Sequence, residues 1–383
     1  MENGGDFTRV VSHQLRDQRL FLEDFLPYAR RGRVANDGDV QRAAGGSVIA
    51  TITLGDRVND LATNPGNSVA YAALTDSVAL ISSHHRISGV IPVGGHPRAL
   101  AIGADGSRLY ATNQGGSVSV IDISDHRVAV IPDACCAQQV DTADGALIYV
   151  GGNAANGGRV AVIGEGGAMV AAVDGLDGSD VTDLAADSDR RRVYVGMRRR
   201  SDYHHQYDSG SLRVIDTATN AAIHAVGLVG PPDSLTIGPD GSVLYATHYD
   251  HSSVTAIDLT TYRVTRIEVG DNPTGVQVTP DGLQAYVGGR CSLSVIDTVA
   301  GEAKRIPVGD LPRCVRISPD GKYAYVSNFG DHNVSIIDTI AGCVTDTFDV
   351  GGHPEALAVS PDGDRLYVGD YWSGSVTVFS VQP

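Results

Sequence analysis

The sequence predicts an all-β propeller of eight four-stranded blades, on three observations. A short run built on a tyrosine recurs at Tyr71, Tyr110, Tyr149, Tyr194, Tyr245, Tyr286, Tyr325 and Tyr367, mostly 39 to 42 residues apart, with two longer intervals of 45 and 51. An Asp-Gly-like turn precedes many copies, as in Pro319-Asp320-Gly321 and Pro361-Asp362-Gly363; Gly supplies the positive φ of a tight turn between antiparallel strands. A run of small residues alternating with Val or Ile follows, as in Ser117-Val118-Ser119-Val120-Ile121-Asp122, the period-two pattern of strands packed between layers. The composition agrees: Gly is abundant (46), while Met (3) and Trp (1) are scarce.

Each unit reads as four strands: A (L-x-V-S), B (L-Y-V), C (S-V-x-V-I-D) and D (R-V-x-x-I-x-V-G). The chain ends on a C strand at Ser375 to Ser380. The missing D strand is at the other end, where Ser47 to Leu54 followed by Gly55-Asp56 matches the D strands that exit at Gly270-Asp271 and Gly309-Asp310. An N-terminal strand completing the last blade closes the ring and removes exposed edges. Residues 48–383 give 42 per blade for eight blades and 48 for the alternative of seven, and 42 fits the spacing of the motif. Before the propeller (47–383), residues 1–46 read as an N-terminal helical extension and linker. Val11, Leu15, Leu22, Phe25 and Leu26 form an apolar stripe at helical spacing, ended by Pro27.

The runs Leu109-Tyr110-Ala111-Thr112-Asn113, Ala324-Tyr325-Val326-Ser327-Asn328 and Leu366-Tyr367-Val368-Gly369-Asp370 resemble the YVTN-type β-propeller repeat family. The resemblance covers residues 47–383. Members of that family more often have seven blades, so eight is a departure that widens the axial channel. Similar propellers include lactonases, metal-assisted lyases acting on cyclic peptides, and non-catalytic binding proteins. A fold alone does not choose among them.

A net charge of −16 and a pI near 5.0 repel phosphate backbones and anionic membranes, so neither nucleic acid nor membrane is expected as a partner. No stretch of 18 apolar residues is present, and Arg30-Arg31 lacks the apolar run of a secretory signal. Five cysteines at irregular spacing do not form a disulfide framework, and a cytoplasmic location is expected.

In a propeller the D–A and B–C connections share one face, and ligand sites gather there, around the channel mouth. The residue just before the Pro position that opens strand A is Arg57, His96, Cys135, Asp180, Pro231, Asn272, Leu311 or His353, so His353, Arg57, His96 and Cys135 are expected in one polar arc. The B–C loops add Tyr203, His204, Tyr249, Arg290, Cys291, Asn328, Asp370, Tyr371 and Trp372 as candidate ligand contacts. His96, His353 and Arg57 are the candidate catalytic residues. His248, His251 and His332 are candidate ligands of a divalent transition metal, although no H-E-x-x-H or C-x-x-C pattern accompanies them. The repeated aspartates Asp122, Asp216, Asp258, Asp297 and Asp338 are expected to bond turn backbone. Two functions follow. One is an enzyme of lyase, lactonase or cyclase type on a small molecule or small peptide at the channel mouth, metal-assisted where the histidines coordinate. The other is a non-catalytic protein- or peptide-binding scaffold using the same aromatic face.

Overall fold

The computed structural model describes residues 46–381 except 67, 104, 133, 135, 144–146, 155–156, 165–166, 174–175, 177–178 and 200–208. The expected N-terminal helix, Cys135, Tyr203 and His204 lie outside the described residues. Within them, strands group into eight four-stranded antiparallel sheets. Blades 1 to 7 cover 60–92, 97–131, 136–173, 180–228, 234–268, 276–307 and 312–349, each with its strands side by side in chain order. Blade 8 comprises Pro354–Val359, Arg365–Asp370 and Ser375–Val381, with Gly46–Thr53 as its outer strand.

The closure matches the sequence expectation, with the strand starting one residue earlier. Ser47 lies opposite Ser380, Thr51 opposite Thr377 and Thr53 opposite Ser375. The amides of Leu54 and Gly55 then donate to the Gly374 carbonyl, which extends the pairing into the loop. Among the described residues, no helix is long and apolar enough to cross a membrane.

The core lies between blades rather than at the axis. Eight clusters of buried apolar side chains are present, one at each blade–blade interface. Tyr71, Val78 and Leu80 of blade 1 meet Leu109, Ala111 and Ile121 of blade 2. Tyr325, Val334 and Ile336 of blade 7 meet Leu366, Val368 and Phe379 of blade 8. Tyr367, Val376 and Val378 of blade 8 meet Leu61, Ala70 and Ala72 of blade 1, so the ring is continuous. All eight motif tyrosines are buried. Each brings a large apolar ring to an interface that otherwise holds mostly Ala, Val, Ile and Leu.

The remaining letters of the motif also have physical roles. The hydroxyl that follows the tyrosine by two accepts an amide hydrogen bond from strand A: Thr112 from Ala99, Thr247 from Ser234, and Ser327 from Cys314. The side chain one residue further on pins strand C. Asn113 donates to Ser117 and Ser119, and Asn328 to Asn333 and Ser335. The terminal Asp of strand C behaves as expected. Asp258 accepts the amides of Thr260 and Thr261, and Asp297 those of Val299 and Ala300. In the A–B turns, Gly321 and Gly363 take φ of 75° and 78°, which only Gly adopts at little cost.

Polar side chains sew each inner strand to the next. Asn59 donates to the Pro97 carbonyl, Thr274 to that of Pro312, and Thr63 to that of Val359. Asp60 and Asp183 accept the amides of Leu100 and Leu235 from the following blade.

The tyrosine hydroxyls differ in their surroundings. That of Tyr149 donates to Asn220 at 2.7 Å, whereas the buried hydroxyl of Tyr194 has no hydrogen-bond partner among the described residues. Tyr149→Phe is therefore expected to cost about 1 kcal/mol, and Tyr194→Phe to be neutral or slightly stabilising. Urea unfolding of the two variants against the parent checks the contrast.

Candidate functional site

The D–A and B–C connections do share one face, and backbone hydrogen bonds link them around the rim. The His96 amide donates to Thr75, and the His96 carbonyl accepts from Gln114. In the same way Arg290 donates to Asp271, Leu311 to Arg290, Phe329 to Leu311, and Tyr371 to His353.

Blades 7, 8 and 1 gather an aromatic and basic cluster on this rim. The Arg57 guanidinium lies 5.2 Å from the ring centroids of both Tyr371 and Trp372, and its Nη1 donates to the Tyr371 hydroxyl at 3.4 Å. The two rings meet edge-on at 5.3 Å. Trp372 lies edge-on to His353 at 6.3 Å; His353 in turn lies 4.3 Å from His332 and 4.9 Å from Phe329. Arg313 also stands over Phe329, its Cζ 5.3 Å from the ring centroid. Trp372 is 53% exposed and Arg57 is exposed, so the outer end of the stack faces solvent. Burial, and next the neighbouring His332, hold His353 below the ordinary histidine value, while Asp370 opposes them. His353 is thus a neutral imidazole at pH 7, able to take a proton.

Below the rim, the inner strands share an irregularity. In blades 2, 3, 4, 7 and 8 the ladder between strands A and B carries a β-bulge at the same place, opposite the strand B residues two to three after the motif tyrosine. The extra residue is Arg98 in blade 2, Thr182 in blade 4 and Glu355 in blade 8; in blade 7 Arg313 and Cys314 share one gap. A bulge re-aims a side chain out of the regular alternation. Asn59, Asp233 and Thr274 hold the equivalent position in blades 1, 5 and 6.

A second polar group lies on blade 5. His248 is fully buried; its Nδ1 faces the Pro231 carbonyl at 3.1 Å and its Nε2 the Thr255 hydroxyl at 2.7 Å. A carbonyl only accepts, so Nδ1 carries the proton and Nε2 accepts from Thr255. Asp233 accepts the Tyr249 amide at 2.6 Å and lies 3.8 Å from Arg198. Burial pushes its carboxyl up to about 6, against the pull of the Tyr249 amide and Arg198.

The structure thus brings together Arg57, His353, His332, Tyr371 and Trp372 of the residues the sequence singles out. His96 is exposed on the next loop, with φ of 49°, and joins the rim through its backbone. His248 and His251 sit in blade 5 with ring centroids 6.4 Å apart, and His332 keeps company with His353 instead. Among the described residues, no three His, Cys, Asp or Glu side chains converge as a metal site would require. Asn328 is fully buried and spends its amide on strand C. Asp370 is buried as well and accepts the amides of Trp372 and Ser373, holding the turn that presents the tryptophan. Cys291 donates to Asp310 at 3.3 Å; burial and that carboxylate push its thiol up, away from a reactive thiolate. Tyr249 is 41% exposed and Arg290 is exposed, both on the loop face.

Sequence reasoning overlooks Arg313, Glu355, Arg98 and Asp233. The missed signal lies two residues beyond the one followed. That position holds Arg98, Asp233, Arg313 and Glu355 where other blades carry Asn59, Thr182 or Thr274.

Asp233 gives a pH-dependent prediction. Its folded-state value lies above the ordinary carboxylate value of about 3.9. The stability tied to its neutral form is therefore fully present below about pH 4 and is lost as pH rises through about 6. Asp233→Asn should match the parent near pH 4.5 and exceed its stability by roughly 1–2 kcal/mol near pH 7.5. Thermal melts at the two pH values read the difference.

Comparison with known proteins agrees with this architecture. Residues 223–382 match the model of the YNCE-like beta-propeller family. No curated protein matches the chain by sequence. Among solved structures, hydrazine synthase of Kuenenia stuttgartiensis superposes with a TM-score of 0.59 at 19% identity, over 91% of this chain and 99% of that one. At that identity the likeness is one of fold. Eight tyrosine-centred repeats and the propeller they build agree with the resemblance to YVTN-type β-propellers, and over the C-terminal blades the chain is similar to the YNCE-like beta-propeller family.

Proposed function

We propose that the rim of blades 7, 8 and 1 binds a small molecule or small peptide through a planar, anionic group, and that His353 moves a proton in the bound ligand. The stacked Arg57, Tyr371 and Trp372 carry this reading. A guanidinium held against aromatic rings keeps its remaining N–H groups directed outward for a carboxylate or phosphate. The half-exposed Trp372 offers a flat face beside it. His353, neutral and packed against Phe329 and His332, stands at the inner end of the same stack. Proton transfer at such a place suits lyase, lactonase or cyclase chemistry. A metal-assisted version would draw on His332 and His353, whose imidazoles are neighbours; His332 Nδ1 already faces the Gly352 carbonyl at 3.2 Å.

A second reading, a non-catalytic peptide-binding rim, draws on the exposure of Tyr249 and Trp372. The two separate at His353.

Trp372, the sole tryptophan, reports binding by its own fluorescence. A panel of aromatic carboxylates and short acidic peptides titrated against the full chain should quench it. Arg57→Ala is expected to weaken the best binder roughly tenfold or more. For a reaction, His353→Gln should abolish turnover of that binder with little change in affinity. Affinity unchanged by Arg57→Ala would remove the site, and a binder that the parent leaves chemically intact would favour the scaffold reading.

A further inference from the structure

The face opposite the rim, where turns join strands A and B, holds a cavity between blades 7 and 8. Its volume is about 290 Å³, and it is lined by the Pro319-Asp320 turn, Tyr323 and Tyr325 of blade 7 and by Asp362 and Gly363 of blade 8. The two turns abut: Pro319 Cδ lies 3.5 Å from the point that a Cβ on Gly363 would occupy. Elsewhere in the ring the motif tyrosine finds a partner for its hydroxyl. Tyr149 donates to Asn220, and Tyr286 donates at 2.7 Å to Gln284, two residues earlier on its own strand. In blade 7 Tyr323 stands where blade 6 has Gln284, and the Tyr325 hydroxyl makes no hydrogen bond among the described residues. Tyr325 is 2% exposed and lines the cavity, so an unpartnered hydroxyl on a buried side chain opens into it.

The two carboxylates differ in what they have left to offer. Asp320 accepts the Ser318 hydroxyl at 2.6 Å through Oδ1 and pairs with the Lys322 ammonium at 2.9 Å through Oδ2. Asp362 spends Oδ1 on the Ser360 hydroxyl and the Asp364 amide, and its Oδ2 makes no hydrogen bond among the described residues. The hydroxyl of Ser360 holds the Asp362 carboxyl below the ordinary value, so it is ionised at pH 7. Burial, and next Asp320, push the Tyr325 phenol up, so it stays protonated.

We propose that this cavity binds a primary ammonium group, with Asp362 Oδ2 and the Tyr325 hydroxyl oxygen each accepting one of its N–H bonds. An ammonium carries three donors and no acceptor, which suits a cavity whose unspent groups are oxygens. The aromatic walls of Tyr323 and Tyr325 favour a cation as well, and a chain of net charge −16 draws cations toward its surface. Beside Pro319 the remaining volume holds a short alkyl chain. An anion would meet Asp320 and Asp362 head on. The cavity is separate from the rim, and its ligand is independent of what the rim binds.

Isothermal titration of the full chain at low ionic strength with n-butylammonium tests this, with 1-butanol and tetramethylammonium as controls. The alcohol lacks the charge, and the quaternary cation lacks the N–H donors. Butylammonium should bind, and each control should bind at least tenfold more weakly. Asp362→Asn keeps an oxygen for Ser360 and Asp364 but removes the charge, and should weaken binding roughly tenfold or more. Tyr325→Phe should weaken it about threefold. Tyr323→Gln, which gives Tyr325 the partner that Tyr286 has, should do the same. Arg57→Ala should leave it unchanged, which keeps this outcome separate from that of the rim. Thermal melts confirm folding of each variant, and should Asp362→Asn fail to fold, Tyr325→Phe still decides. Absence of butylammonium binding, equal binding of either control, or indifference to both Asp362→Asn and Tyr325→Phe would overturn the proposal.

Discussion

Everything on the loop face depends on the pairing of Gly46–Thr53 with Ser375–Val381. That pairing is the single place where the two ends of the propeller meet through a β-ladder, and it fixes the distance between residues more than 300 positions apart in sequence. Arg57 follows the N-terminal strand by four residues, whereas Tyr371 and Trp372 precede its partner strand by only a few. Their stacking is thus a consequence of closure. Without it, the outer edge of blade 8 would be an unpaired template for another chain, and the rim cluster would lose its cation.

The second organising feature is the division of labour on strand B. The tyrosine fills the blade interface in every repeat; in blades 2, 5 and 7 the Thr or Ser two residues on satisfies an amide of strand A, and in blades 2 and 7 the Asn after it ties down strand C. Because these three jobs are done on strand B, the start of strand A is free to vary. There the bulges occur, and there charged residues replace Asn and Thr. The departures from repeat symmetry, Arg98, Arg313 and Glu355 at the bulges and Trp372 on the rim, thus sit where the scaffold tolerates them.

The architecture was highly legible in the sequence because each blade repeats the same local physics. Tyrosine spacing gave the blade count, and the resemblance of Ser47–Leu54 to a D strand gave the closure. The site was legible only in outline. Loop residues near the mouth could be placed by alignment, and Arg57, His353, Tyr371 and Trp372 do meet. What alignment could not reveal is which loops touch across blades, so His332 was grouped with His248 and His251, although it faces His353. Nor could it distinguish a buried structural polar group from an available one: Asn328 and His248 read like ligand contacts yet are spent on their own blades. The bulges escaped notice because a one-residue insertion in a ladder leaves no mark in composition or period; it appears only when strand pairing is known.

Hydrogen exchange on the full chain and on a variant lacking residues 1–54, read together with Trp372 emission, tests the dependence of the site on closure most directly. The account predicts that amides of Ser375–Val381 are protected in the full chain and exchange as a free edge in the truncated one, with the Trp372 emission shifting to the red as Arg57 leaves its place. Equal protection of that strand and an unchanged emission in both proteins would contradict it.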